Sequence, residues 1–265
     1  MSAHTSSRGR VILCIGGHDP STAGIQADIE TCVAFDCLAL TVVTAWTTQN
    51  TAAVSKVQPA APDDVVNQIR ALLADFRLDA CKLGLVPTIA IGERLAQLFE
   101  HELRSCPLVI DPLLIAGSGD RLVQDDMTNV FLRRLLPRAT LTTPNRDEAS
   151  RLTGCADPIA AAHALLATGC QAVLLTDSAP EQTQITNHLH SAGQSSESFT
   201  MERYSGDYHG TGCTLATGIA CGLALQRPLR TAVINAQQFV HTAVAQAWRP
   251  GSRQHIPRRS VRWQS

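Results

Sequence analysis

The chain alternates between short β-rich runs and longer stretches with helical spacing, and that alternation restricts its fold more than any other feature. VILCIG (11–16), LALTVVTA (38–45), ACKLGL (80–85), LVIDP (108–112), ATLTTP (139–144) and AVLLT (172–176) read as strands. Several are apolar on both faces, the pattern of strands covered by helices on both sides. Between them, AGIQADIETCVAF, PDDVVNQIRALLADF, IAIGERLAQLFEHEL and DDMTNVFLRRLL repeat apolar residues at helical intervals. Such alternation builds βαβ units, so the expected class is α/β with a central, mainly parallel sheet. The polar pieces ITNHLH and SSESFTMERY predict an antiparallel hairpin or edge strands, and two helices, 212–226 and about 228–248, complete the expected domain over 11–248. Residues 1–10 are expected to be disordered and 249–265 to form a basic tail.

Composition narrows the function class. Hydrophobic residues make up 45% and charged residues 17% of the 265 residues, the balance of a soluble globular protein. No run approaches the roughly 18 apolar residues of a membrane helix. The polar start MSAHTSSRGR lacks the apolar core of a secretory signal, so the expected location is cytoplasmic with no membrane partner. Nine cysteines are scattered, without a C-x-x-C pair, which predicts neither a zinc site nor a disulfide framework. His188 and His190 sit at strand spacing and are expected to be exposed on the hairpin rather than to bind metal. The tail holds five arginines and no acid; it is expected to pack on an acidic neighbour or to be solvated, with no nucleic-acid partner.

Three motifs fall where strands give way to helices, the usual place for sites in open α/β sheets. HGTGCT (209–214) leads into a small-residue helix. A glycine turn there leaves backbone N–H groups aimed at one point, an anion hole, although a turn that only exploits glycine dihedrals has the same spelling. In TPNRDEA (143–149), Asn145 and Glu148 share one face of a helix's first turn. That spacing suits an Mg²⁺ water shell beside a phosphate and equally suits a capping box. In IGGHDPSTAGIQADIE (15–30) the glycines end the first strand, Asp19-Pro20-Ser21 turns, and Gln26 and Asp28 are candidates to face a ligand. The spacing is not that of a dinucleotide fingerprint.

Taken in order, GGHDPSTAGIQAD, TAWTTQNT, KLGL, VIDPLLIAGSGDRL, LLPRATLTTPNRDEA and YHGTGCTLATGIA resemble the hydroxymethylpyrimidine and phosphomethylpyrimidine kinases of thiamine biosynthesis, a branch of the ribokinase-like superfamily. The resemblance spans about residues 11–248. It implies a three-layer α/β/α sandwich, a kinase that uses ATP and Mg²⁺, a small-molecule substrate and a homodimer. It assigns Gly17, Asp28, Gln49 and Leu85 to the pyrimidine pocket, with Leu85 where the family usually has methionine. Asp111, Asn145 and Glu148 match positions near Mg²⁺ and phosphate. Gly210, Thr211, Gly212 and Cys213 match the catalytic anion hole, with Gly210, Gly212 and Thr176 also on the nucleotide. Cys213 stands where sugar-kinase relatives carry a catalytic aspartate, and a thiol whose pKa is lowered at a helix N-terminus is expected to act as a modest base.

The resemblance implies phosphorylation of 4-amino-5-hydroxymethyl-2-methylpyrimidine and then of its monophosphate. The sequence departs from the family at two loops. DPSTAGIQAD is one residue shorter than the usual first loop and lacks its glycine pair, and Thr176, Asp177 and Ser178 stand where many relatives have a lysine and two glycines. An alternative of the same fold is a pyridoxal or pyridoxine kinase. The altered 176–178 loop leaves a non-catalytic pyrimidine-binding sensor as a further alternative.

Overall fold

Along the strand Arg10–His18 (β1), alternate side chains enter different cores: Leu13 and Ile15 pack to one side of the sheet, Ile12 and Cys14 to the other, all with no exposure. A strand apolar at successive positions requires cover on both faces. The computed structural model, which describes residues 9–115, 122–176 and 183–260, supplies it as a three-layer sandwich. After β1 come Gly24–Ala34 (α1), Cys37–Gln49 (β2), Val54–Pro59 (β3), Pro62–Leu73 (α2), Ala80–Leu83 (β4), Ile89–Glu100 (α3), Leu108–Ile110 (β5) and Met127–Val130 (α4). There follow Leu141–Thr142 (β6), Arg146–Thr153 (α5), Pro158–Ala167 (α6), Ala172–Leu175 (β7), Gln184–Ser191 (β8), Glu197–Glu202 (β9), Thr211–Ala224 (α7) and Leu229–Ala245 (α8).

These strands form one sheet in the order β3-β2-β1-β4-β5-β6-β7-β8-β9. It is parallel from β2 to β7, with β3 antiparallel on one edge and the β8–β9 hairpin antiparallel on the other. Helices α1, α7 and α8 cover one face through residues such as Cys32, Ile219 and Phe239; α2 to α6 cover the other through Ile69, Leu95 and Leu165. The chain goes from β1 outward to β2 on one side and resumes at β4 on the other. This switch of direction opens a crevice beyond the carboxyl ends of β1 and β4, where such sheets bind ligands.

Several sequence expectations change in detail. Strand β3 and helix α6 were not among the expected elements. Residues 125–136 were expected to form one helix; they run instead as α4, a π-turn over Phe131–Leu135 and a 3-10 turn over Leu136–Arg138. Pro137 offers no backbone N–H, so the helix tightens and ends there. The strand Arg10–His18 takes in Arg10, which had been assigned to the disordered start; residues 1–8 lie outside the described residues. His190 is buried rather than exposed, because β8 turns it inward. Among the described residues all nine cysteines are free thiols, no cluster of three or more metal-ligating side chains occurs, and no helix is long and apolar enough to cross a membrane.

Candidate active site

A cleft of about 790 Å³ lies beyond the carboxyl ends of the parallel strands and has a narrow end and an acidic end. The narrow end begins where β1 bulges between Gly16 and Gly17. A β-carbon on Gly17 would stand 2.8 Å from Leu85 Cδ2, so only glycine leaves a flat slot between this backbone and the Leu85 side chain. Leu85 is itself held by its carbonyl, which accepts the Thr44 hydroxyl at 2.6 Å. Gly24 adopts φ +54°, and a side chain there would collide with the Gly17 carbonyl oxygen. The short first loop thereby folds back on the slot.

Asp19 organises the polar side of this end. Its carboxylate accepts the Gln49 amide at 2.7 Å, the Ser21 hydroxyl at 2.6 Å and the Ser21 backbone N–H at 2.7 Å, and it lies 2.6 Å from His209 Nε2. Burial by itself would raise the Asp19 pKa; the hydrogen bonds with His209 and Ser21 outweigh it and hold the carboxyl below its ordinary value. The Gln49 NH₂ group, engaged by Asp19, also lies 3.3 Å from His209 Nε2, and Gln49 lines the cleft.

The acidic end is built differently. Asp111 follows β5 and Glu148 lies in the first turn of α5, both buried. Burial, reinforced by the negative charge of Asp111, pushes the Glu148 carboxyl up to about 8. Burial likewise raises Asp111, against the pull of Lys82 and of a hydrogen bond with the Cys213 thiol. Asn145 and Glu148 form a reciprocal capping box: Glu148 N–H donates to Asn145 Oδ1 at 2.8 Å, and Asn145 N–H donates to Glu148 Oε2 at 2.9 Å. The capping reading of this motif therefore holds. It leaves Glu148 Oε1 and the Asn145 amide nitrogen free of those bonds while both residues line the cleft.

Helix α7 points its N-terminus at this acidic end, with Gly210 as N-cap in the left-handed region at φ +74°. The thiol of Cys213 is buried, and burial pushes it up to about 12 although Lys82 works in the opposite direction. The expected lowering by the helix N-terminus is overturned. Desolvation disfavours the thiolate, and the carboxylates of Asp111 and Asp28 disfavour it further. Asp28 is also corrected. Its side chain is fully buried beneath the cleft rather than lining it, bonded to Lys82 Nζ at 2.9 and 3.0 Å and accepting the Thr217 hydroxyl at 2.7 Å. Gln26 turns from the cleft to accept the Asp19 backbone N–H at 3.3 Å.

The remaining sequence-predicted positions line the cleft together, Thr176 among them beside Asn145 in an isolated bridge between strand ends. Asp177 and Ser178 lie outside the described residues. Lys82, Asp19 and His209 were missed as site residues. Lys82 sits in an apolar strand, where an isolated charge is itself a signal, since a buried lysine needs a partner. That partner, Asp28, is 54 residues away. Burial would lower the Lys82 pKa; the nearby Asp28, Cys213 and Asp111 reverse this and keep it a cation.

Comparison with known proteins extends over nearly the whole chain. The family model described as phosphomethylpyrimidine kinase matches residues 19–258. A hydroxymethylpyrimidine/phosphomethylpyrimidine kinase of Salmonella typhimurium is 35% identical over 244 residues, 89% of this chain and 91% of that protein. Among solved structures, a Bacillus subtilis pyridoxal kinase in complex with ADP superposes with a TM-score of 0.86 at 26% identity, covering 96% of this chain and 98% of the other. A phosphomethylpyrimidine kinase from Clostridium difficile superposes with a TM-score of 0.76 at 27% identity, covering 89% and 99%.

Proposed function

The chain belongs to the phosphomethylpyrimidine kinase family, and on that premise we propose that it transfers the γ-phosphoryl group of ATP to 4-amino-5-hydroxymethyl-2-methylpyrimidine and then to its monophosphate. The observation that carries the substrate is the Asp19–Gln49 bond, which leaves the Gln49 oxygen to accept from an exocyclic amine beside the flat Gly17–Leu85 slot. The hydroxymethyl group then lies toward the acidic end of the cleft.

The donor set there fits Mg²⁺. Two buried carboxyls, one raising the pKa of the other, offer hard oxygen ligands whose ionised forms a cation would favour. No closed protein cage is needed, since Mg²⁺ usually keeps several waters and is shared with substrate phosphates. Asp111 and Glu148 would hold the ion through its waters, with the Asn145 amide beside them. When bound, Mg²⁺ supplies charge neutralisation to the phosphates. The backbone N–H groups of Thr211, Gly212 and Cys213 would face the transferred group, and Thr176 the nucleotide. In the transfer, a bond forms from the substrate oxygen to the γ-phosphorus as the bond to the β-bridging oxygen breaks, releasing ADP. The loose transition state does not require an alkoxide beforehand, so the hydroxyl proton leaves late, to an oxygen of the transferred phosphoryl group or to water, and no strong base is needed. With its pKa raised by burial, the Cys213 thiol would keep its proton, and its hydrogen bond to Asp111 would steady that carboxylate. In the second step the acceptor is a phosphate already largely ionised near neutral pH, with a second pKa of about 6.

A second reading, a pyridoxal kinase, draws on the TM-score of 0.86 to an enzyme of that name. One assay decides: ATP consumption with the hydroxymethylpyrimidine, its monophosphate and pyridoxal offered side by side. The proposal expects turnover of both pyrimidines and poor use of pyridoxal; the reverse order would replace it.

A further inference from the structure

The basic C-terminal segment, over residues 249–260, does not hang free of the domain. It returns along the cleft: Trp248 pairs with Ile256, Tyr208 with His255, and the Arg258 guanidinium lies 5.4 Å from the Trp248 ring centroid. The His209 N–H donates to the His255 carbonyl at 2.9 Å. This run places Arg259, with a side chain that has no exposure, directly behind the HGTGCT turn. Arg259 Nη2 donates to the His209 carbonyl at 3.1 Å and Nε to Thr214 Oγ1 at 2.7 Å, while Nη1 pairs with Glu30 of α1 at 3.1 Å. One rigid fork thus grips both sides of Gly210–Cys213.

The turn needs an external grip. Its N-cap, Gly210, is in the left-handed region and makes no side-chain cap bond, so within the helix only Thr214 holds it, through its N–H and hydroxyl on the Gly210 carbonyl. Two glycines in one turn also lose more conformational freedom on ordering than other residues. A β-carbon on Gly210 would stand 2.6 Å from Arg259 Nη2, so guanidinium and turn are in close contact. Thr214 extends the chain of contacts, donating its hydroxyl to the Gly210 carbonyl at 2.7 Å while accepting from Arg259. A lysine cannot reproduce this, because a single ammonium lacks the planar fork that reaches separated acceptors in fixed directions.

We propose that Arg259 is a positioning residue for phosphoryl transfer: it clamps residues 209–214 so that the N–H groups at the start of α7 stay convergent, which makes the C-terminal segment part of the active site. The inference rests on the reading of this turn as the phosphate-binding end of the cleft. The test compares wild type with Arg259→Met, Arg259→Lys and Thr214→Val, measuring kcat, both KM values, thermal midpoint and hydrogen exchange of the 210–214 amides. Arg259→Met should lower kcat roughly tenfold or more and leave the pyrimidine KM within about twofold, the split expected when an interaction serves the transition state rather than ground-state binding. Exchange at 210–214 should rise while the middle of α7 stays protected. Arg259→Lys should recover thermal midpoint more than kcat.

Wild-type kcat in Arg259→Met below its melting transition, or unchanged exchange at 210–214, overturns the proposal and leaves Arg259 as packing. Should neither Arg259 variant fold, Thr214→Val decides, since it keeps shape and removes one arm of the clamp; normal kcat and normal exchange there reject the role. A wild-type protein without kinase activity strikes the functional reading alone, because the exchange measurement still decides whether the clamp exists.

Discussion

The two ends of the cleft bury carboxylates in similar surroundings and treat them in opposite ways. Asp19, at the narrow end, is surrounded by donors, and its pKa falls below the ordinary value despite burial. Glu148 and Asp111, at the acidic end, face each other and both rise. Burial has the same sign in all three; the company of each group sets the outcome. The polar side of the narrow end is consequently organised before any ligand arrives, with the Asp19 carboxylate bonded to Gln49, Ser21 and His209. The acidic end instead holds two carboxyls whose burial favours the protonated form, and a cation bound there would favour their ionised forms. On the proposed function, recognition is preorganised at one end, and chemistry is assembled by the ligands at the other.

Asp111→Asn gives the sharpest break between the ends. Loss of one preorganised charge at the transfer site should lower kcat by on the order of 10²-fold, and pyrimidine affinity measured by calorimetry should hardly change. Equal losses in both would merge the two ends into one unit. Gln49→Leu is the converse: it keeps bulk, leaves Asp19 without one donor, and should weaken pyrimidine binding by about 1–3 kcal/mol. Its effect on kcat at saturating pyrimidine should be small, and a normal binding constant would move the ring elsewhere in the cleft.

Cys213→Ala should cost less than either. A thiol pushed up to about 12 holds its proton at neutral pH, so alanine removes a donor to Asp111 and no base. The expected loss is roughly tenfold or less in the first phosphorylation, the scale of one hydrogen bond to a charged group. A far larger loss confined to the alcohol substrate, as against the phosphate, would restore the thiol as a base.

The smallest effect is a difference in pH slope. Asp19 has a folded pKa below its unfolded value, so its contribution to stability is present above the unfolded value and is lost as pH falls through the folded one. Asp19→Asn should therefore destabilise at neutral pH, with the gap closing in acid. Glu148 has the opposite sign: its folded pKa of about 8 exceeds the unfolded one, so ligand-free stability drains away as pH rises between them. Glu148→Gln should gain on wild type over that interval. Denaturant melts across pH check both, and parallel slopes would dissolve the contrast between the ends.

Much of the fold was legible because its signals are local. Apolar runs marked β1, β2, β4, β5 and β7, and helical spacing marked α1, α2 and α3 to within a few residues. Strand β3 carries no such signal; VSKVQP is largely exposed and exists as a strand because it pairs with the protruding end of β2. Helix α6 did announce itself, with Asp157 as N-cap and Pro158 in the first turn, but its alanine-rich body shows little periodicity. At the site, Gly17, Gln49, Leu85, Asn145 and the HGTGCT turn were readable from motif order, and the structure gathers them into one cleft. Asp28 was placed in the cleft because the sequence marks Lys82 as a buried charge but not which acid, 54 residues away, it pairs with.

The sequence by itself determined the layered α/β architecture, the positions of the loops that form the site and the family to which those loops belong. Each depends on residues within a turn of helix or a strand of one another. Only the tertiary structure decided that burial raises the Cys213 thiol while donors hold Asp19 low, that Asp28 supports Lys82 from below, and that Arg259 closes on a turn 45 residues earlier in the chain. Charge and hydrogen bonding act through space and through the amount of water excluded. Neither quantity exists until distant segments have packed together.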